Sequence, residues 1–266
     1  MEYSFTQLEK EFDILTDEKL VELNLLSSNG EVNYDGILLS DQCIHRIKLI
    51  DYTHDGKVEV VIGSIIAQYT LIKEKLIQIS TEIKYPIKAL LEALKNIILH
   101  RDYSSNGDSI IRIYKDRIEF ISLGSLIANL TVEGIEIGIS VPRNINLMKV
   151  FQEVDITKGN GEGIQEILSA YKEYKVKPIF KSIGGVFQVI LPKPEYTVNG
   201  KVISDKYRRG LEVIESRGTV NNKEIQEHLE LKSTSVVNYL KEMLELELIE
   251  KIREGRNISY RIKVLK

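Results

Sequence analysis

The stretch 85-YPIKALLEALKNIILHRDYSS-105 decides how the rest of the chain is read. Its apolar residues Leu90, Ala93, Leu94, Ile97 and Ile98 recur at helical spacing and cover most of a helix surface. Pro86 is expected at the first helical position, where its fixed φ and missing N–H cost little. Glu92, Asn96 and His100 follow at intervals of four and share the remaining face, which looks onto solvent or onto a site. One possibility is a solvated edge, with His100 and Arg101 complementing the negative end of the helix dipole. The other is a functional face. Asn96 is then its more diagnostic member, because an amide has less reason than Lys or Glu to sit on a merely solvated stripe.

Working outward, short apolar runs between Asn29 and Ile62 (GILLS, HRIKLIDYT, KVEVVIG) are separated by the turn-like NG, YDG and HDG and predict strands. From Ser64, the residues Ile66, Tyr69, Ile72, Leu76 and Ile79 predict a long helix. On the other side, SIIRIYKDRIEFIS predicts a hairpin turning near Lys115-Asp116. Ile164, Ile167, Leu168 and Tyr171 mark one face of a later helix, and GGVFQVILP alternates as a closing strand. These elements predict an α+β domain over 82–197, preceded by a strand-and-helix region over 1–81. Pro192, Pro194, Asn199 and Gly200 mark a linker. Beyond it, residues 198–266 present three short helices and a hairpin turning at Glu254-Gly255, the element order of a winged helix-turn-helix.

Composition sets limits. The 266 residues, 43% hydrophobic and 28% charged, exclude a disordered chain. A net charge of −3 excludes a wholly basic nucleic-acid binder, yet residues 201–266 carry +3 against −6 for the remainder. Cys43 stands alone, which excludes an internal disulfide, and the four histidines lack zinc-site spacing. The amino terminus has no apolar signal core and VEVVIGSIIAQYTLI is too short and interrupted to span a bilayer, so a cytoplasmic protein with no membrane partner is expected.

Four stretches in order, YPIKALLEALKNIILHRDYSS, DRIEFISLGSL, GISVPRNINLMKVF and GEGIQEI, give the chain over roughly residues 30–195 a family likeness. It resembles the bacterial family described as "putative ATP-dependent DNA helicase RecG C-terminal", a divergent GHKL-type, Bergerat-fold ATPase-like domain often joined to a Schlafen AlbA-type domain and a winged helix. The resemblance implies a Bergerat α/β sandwich followed by a winged helix-turn-helix, with ATP and Mg²⁺ as cofactors. It implies that Glu92 activates water and that Asn96 binds the magnesium bridging the phosphates, with His100, Arg143, Gly161 and Gly163 at the nucleotide. A carboxylate to orient water beside a neutral oxygen ligand for a hard cation suits that chemistry. Glycines 159, 161 and 163 ahead of a helix offer backbone N–H groups to phosphate.

The departures from the family are specific. Glu162 places a carboxylate where the family has Thr or Ser, offset in part by Lys158. Ser122-Leu123-Gly124-Ser125 replaces the DxGxG box, leaving adenine without a carboxylate partner. Arg143 either meets a phosphate or fixes a turn. The likeness begins only near TDEKLVELNLLSSNGEVNYDGILL, the pattern of a short form without a complete AlbA domain. Weak or absent ATP binding and negligible turnover are therefore expected.

In the carboxyl-terminal segment, packing Val236, Leu240, Met243 and Leu244 inward leaves Ser233, Thr234, Asn238 and Lys241 outward as a recognition surface. Arg253 and Arg256 bracket the wing tip and suit phosphate or minor-groove contact. The competing expectation is a module for protein contact or dimerisation, favoured by the acidic run Glu242, Glu245, Glu247 and Glu250. Together these features predict a DNA-binding transcription regulator, a homodimer on double-stranded DNA, with a degenerate nucleotide-site sensor. A magnesium-dependent ATPase and a scaffold without either ligand are the alternatives.

Overall fold

The computed structural model describes residues 3–12, 14–53, 55–83, 85–194, 197–198, 201–255 and 257–263. Strands β1 (Ile47–Asp51), β2 (Lys57–Val61), β3 (Ser109–Ile113), β4 (Arg117–Leu123), β5 (Ile179–Ile183) and β6 (Val186–Pro192) form one sheet in the order β2-β1-β3-β4-β6-β5. Neighbours are antiparallel except β1 and β3. That parallel pair needs a long crossover, and helices α4 (Ile65–Ile83) and α5 (Ile87–Leu99) supply it.

Period-two alternation puts one buried residue from each of five strands in register: Leu49, Ile111, Phe120, Val189 and Phe180. This row is the floor on which the helices pack. Ile66, Tyr69, Ile72 and Leu76 of α4 are buried as their spacing requires. Helix α5 is apolar almost all round because it lies against α4, the sheet and α8 (Gly163–Ala170) together. Short helices α1 (Leu8–Glu11), α2 (Asp17–Glu22) and α3 (Tyr34–Leu39) precede the sheet, while α6 (Val132–Glu136) and α7 (Ile145–Glu153) lie between β4 and α8. No helix among the described residues is long and apolar enough to cross a membrane.

Three expectations change. The run GILLS is helical rather than extended, since the Asn33 side chain caps α3 by accepting from the Gly36 N–H at 3.0 Å. A Cβ at Gly36 would lie 2.3 Å from the Leu25 carbonyl oxygen, so only glycine fits there. Pro86 caps α5 instead of opening it, standing one residue before Ile87. The chain divides at residue 194/195 into two compact units, 1–194 and 195–266. Residues before 82 are not separate from those after: β1 hydrogen-bonds to β3, and Leu38, Leu39 and Leu49 share one core with Ile97 and Phe120.

The second unit contains β7 (Thr197–Val198), β8 (Lys201–Val202), α9 (Asp205–Arg217), α10 (Asn222–Leu229), α11 (Ser233–Glu245), β9 (Ile249–Glu254) and β10 (Asn257–Ile262). Asn221 and Glu224 form a reciprocal capping box that starts α10. Leu211, Ile214, Ile225, Val236, Leu240 and Met243 make a separate small core, closed by Tyr260 of the β9–β10 hairpin.

Candidate functional site

One cavity of about 480 Å³ lies in the first unit, and every residue picked there from sequence lines it: Glu92, Asn96, His100, Arg143, Gly161 and Gly163. Leu126, Ile135, Ile139, Met148 and Phe187 give the lining an apolar part, while Lys88, Glu92, Lys95 and Glu166 give it a charged one beside the amide of Asn96.

Glu92 is 9% exposed, and its carboxylate accepts from Lys95 Nζ at 2.5 Å. Burial pushes its pKa up to about 7, opposed by Lys95 and reinforced by a hydrogen bond with Glu166. Glu166 in turn is ion-paired with Lys88 at 3.2 Å. A carboxyl titrating near neutrality can take a proton from a water molecule at working pH. Asn96 presents a different signal. Its Oδ1 is buried without a hydrogen-bond partner among the described residues. An orphaned acceptor at a cavity wall suits a hard cation, so the residues present fit magnesium at this point.

The turn entering α8 holds Gly159 and Gly161 at φ +66° and +76°, the left-handed region that favours glycine. A Cβ on Gly161 would lie 2.9 Å from that of Ser140, and one on Gly163 would lie 3.2 Å from Glu92 Oε2. Glycine at 163 thus leaves room for the carboxylate. Glu162 is exposed and accepts from Asn160 Nδ2 at 2.5 Å, which ties it back to its own turn.

The HRDY run resolves into scaffold. His100 ends α5, its pKa lowered by burial and by Arg143. Arg101, 2% exposed, donates to Ser109 Oγ at 2.8 Å and to the carbonyls of Ser105 and Gly107, fixing the loop that leads into β3. Asp102 accepts from the Ser104 N–H at 3.0 Å, and Tyr103 donates to the Ile98 carbonyl at 3.0 Å. Arg143 donates to the carbonyls of His100 at 3.1 Å and Ser125 at 2.6 Å. Asn144 Nδ2 donates to the carbonyls of Leu99 at 2.9 Å and Arg101 at 2.8 Å. The carbonyls of Leu99 and His100 are among those left without an intrahelical partner at the end of α5, and VPRN satisfies them from across the fold.

Sequence patterning missed Lys95, Glu166 and Asn144. Lys95 and Glu166 were indistinguishable from ordinary surface charge, and only the residue beside Arg143 hinted at the cap. At 122–125 the structure provides no carboxylate to the cavity; Gly124 and Ser125 line it.

In the second unit Ser233, Thr234, Asn238 and Lys241 are all exposed on α11, opposite buried Val236, Leu240 and Met243. Arg253 is exposed on β9 next to the hairpin turn, and Arg256 lies outside the described residues. The acidic run does not form a bare anionic face. Glu242 is paired with Lys206 and Tyr207, Glu245 with Lys241, Glu247 with Lys263 and Glu250 with Arg261.

Residues 107–191 match the model of the family described as "Putative ATP-dependent DNA helicase recG C-terminal". The match includes Arg143, Gly161 and Gly163, and stops short of Glu92, Asn96 and His100. Comparison with curated proteins gives no match. Among solved structures, the chain is similar to the DIP2311 protein from Corynebacterium diphtheriae, with a TM-score of 0.62 and 18% identity. The alignment covers 97% of this chain and 60% of that one, a likeness of fold.

Proposed function

We propose that the chain is a DNA-binding transcription regulator that acts as a homodimer on double-stranded DNA. In this proposal the first unit is a Bergerat-type sensor with a degenerate nucleotide site, and the second is a winged helix-turn-helix. The observation that carries the DNA assignment is the outer face of α11. Ser233, Thr234, Asn238 and Lys241 are exposed together, and the neighbouring carboxylates are each paired within the unit, which removes the main electrostatic objection to a phosphate backbone. The test is titration of duplex DNA at two salt concentrations, parent against Arg253→Ala/Arg256→Ala. Salt-sensitive binding is expected, with the slope reduced by about 2 in the double variant, since each phosphate contact contributes about 0.9. A parent whose affinity ignores salt removes the DNA assignment, and a double variant binding equally well removes the wing contact.

The second proposal is a magnesium-dependent ATPase, favoured by the buried Glu92 beside the unpartnered Asn96 Oδ1. Asn96 would hold the cation, which would neutralise phosphate charge, and Glu92 would take the proton from water. The degenerate sensor is preferred because the cavity offers adenine no carboxylate at 122–125 and because Glu92 is engaged by Lys95 and Glu166.

A further inference from the structure

Lys95 and Glu92 meet in the cavity wall with side chains only 13% and 11% exposed. With Glu166 and Lys88 they make a row in which two lysines flank two adjacent carboxyl groups, Lys88–Glu166–Glu92–Lys95, that bridges α5 and α8. The residue after Lys95 is Asn96, whose Oδ1 is buried without a partner among the described residues. A cation held by Asn96 would bring phosphate oxygens beside Lys95. A carboxylate held by an ammonium group is poorly placed to orient water, and an ammonium group held by a carboxylate is not available to phosphate.

We infer that Lys95 is a phosphate-reading residue of this cavity and that it trades the Glu92 carboxylate for a phosphate oxygen of the ligand. The inference rests on the nucleotide-site reading of the first unit and adds to it the residue that senses phosphate. The trade leaves Lys95 in a charge-assisted hydrogen bond throughout, so no buried ammonium is stranded. Glu92 keeps Glu166 as a neighbour, and Gly163, having no side chain, leaves its Oε2 room to turn. Glu92 is therefore a competitor of the ligand for Lys95. That competition has a signature a merely structural ion pair lacks: removing the two partners shifts affinity in opposite directions.

The experiment is calorimetric titration of the full chain with Mg-ATP, Mg-ADP and adenosine. Lys95→Ala is expected to weaken Mg-ATP about tenfold, and Lys95→Arg to retain it, in line with the strength of one charge-assisted hydrogen bond. Adenosine is unaffected by either change. Glu92→Gln is expected to tighten Mg-ATP about threefold by releasing Lys95, and to have no such effect once Lys95→Ala is present, the coupling a double-mutant cycle reads. Thermal melts confirm that each variant is folded. Mg-ATP affinity independent of Lys95, or both single variants shifting it in the same direction, overturns the inference and leaves the nucleotide reading standing. A parent that binds none of the three ligands at millimolar concentration overturns the nucleotide reading and the inference with it.

Discussion

Glu92 should leave a measurable mark on stability as pH changes. Burial raises its pKa from the ordinary 4.5 to about 7, with Lys95 opposing and Glu166 reinforcing the change. Between those two values the folded chain keeps a proton that the unfolded chain releases, so stability falls as pH rises through this window. At about 1.4 kcal/mol per pH unit the ceiling is roughly 3 kcal/mol. Other groups act in the opposite sense. The pKa values of His45 and His100 are lowered by burial, so each adds stability as pH rises toward 6.5, and Glu166 is lowered as well. The raw profile mixes these contributions, and Glu92→Gln isolates one of them because glutamine keeps the shape without ionising. Urea denaturation followed by circular dichroism gives unfolding free energies for parent and variant from pH 4.5 to 8. Parent stability minus variant stability should drop by about 3 kcal/mol across that range, equivalent to roughly 6–12 °C in melting temperature for a unit of this size. A difference that stays flat or rises with pH would show that Glu92 is not held in a proton-retaining environment.

Two further outcomes are expected. Asn96→Ala should abolish the dependence of nucleotide affinity on magnesium while leaving the melting temperature within about 2 °C of the parent, because the lost oxygen has no internal partner to strand; calorimetry with and without the cation decides. Arg101→Met should destabilise the first unit by about 3 kcal/mol by leaving the carbonyls of Ser105 and Gly107 without their donor; urea denaturation showing less than about 1 kcal/mol would mean that the guanidinium is not the anchor of that loop.

Long periodic elements were legible in the sequence. Helices α4 and α11 and the β3–β4 hairpin follow from spacing alone, because their burial comes from one repeated face, and α5 follows from its helical-spaced apolar residues. The run GILLS was not legible, since five apolar-rich residues fit a strand or one buried helical turn, and the deciding cap at Asn33 lies outside the run. The separation at residue 81/82 failed for a topological reason: β1 and β3 are parallel neighbours about 60 residues apart, and no local signal announces a crossover pairing. At the site, the four-residue spacing of Glu92, Asn96 and His100 put them on one helix face, and all three line one cavity. Lys95 escaped notice because a lysine one residue before Asn96 reads as solvated charge until a partner such as Glu92 is found at 2.5 Å.

The family likeness and the chemistry of the cavity lie on different segments of the chain. The matched residues 107–191 contain Arg143 and Asn144, which hold the carbonyls of Leu99, His100 and Arg101, and the glycine turn that leaves room for Glu92. Those residues fix where the carboxyl end of α5 sits and how closely α8 approaches it. They do not include Glu92 or Asn96, the residues proposed to orient water and to hold the cation, which lie on α5 outside the match. The match therefore speaks for the scaffold, and substitutions on one face of α5 can change what the cavity binds without disturbing it. HRDY also lies outside the match and is largely structural here: Arg101 and Tyr103 are buried and anchor the end of the helix that displays Glu92 and Asn96. In the proposed reading, the choice between sensing and hydrolysis rests on the few charges that surround Glu92, above all on which anion Lys95 holds.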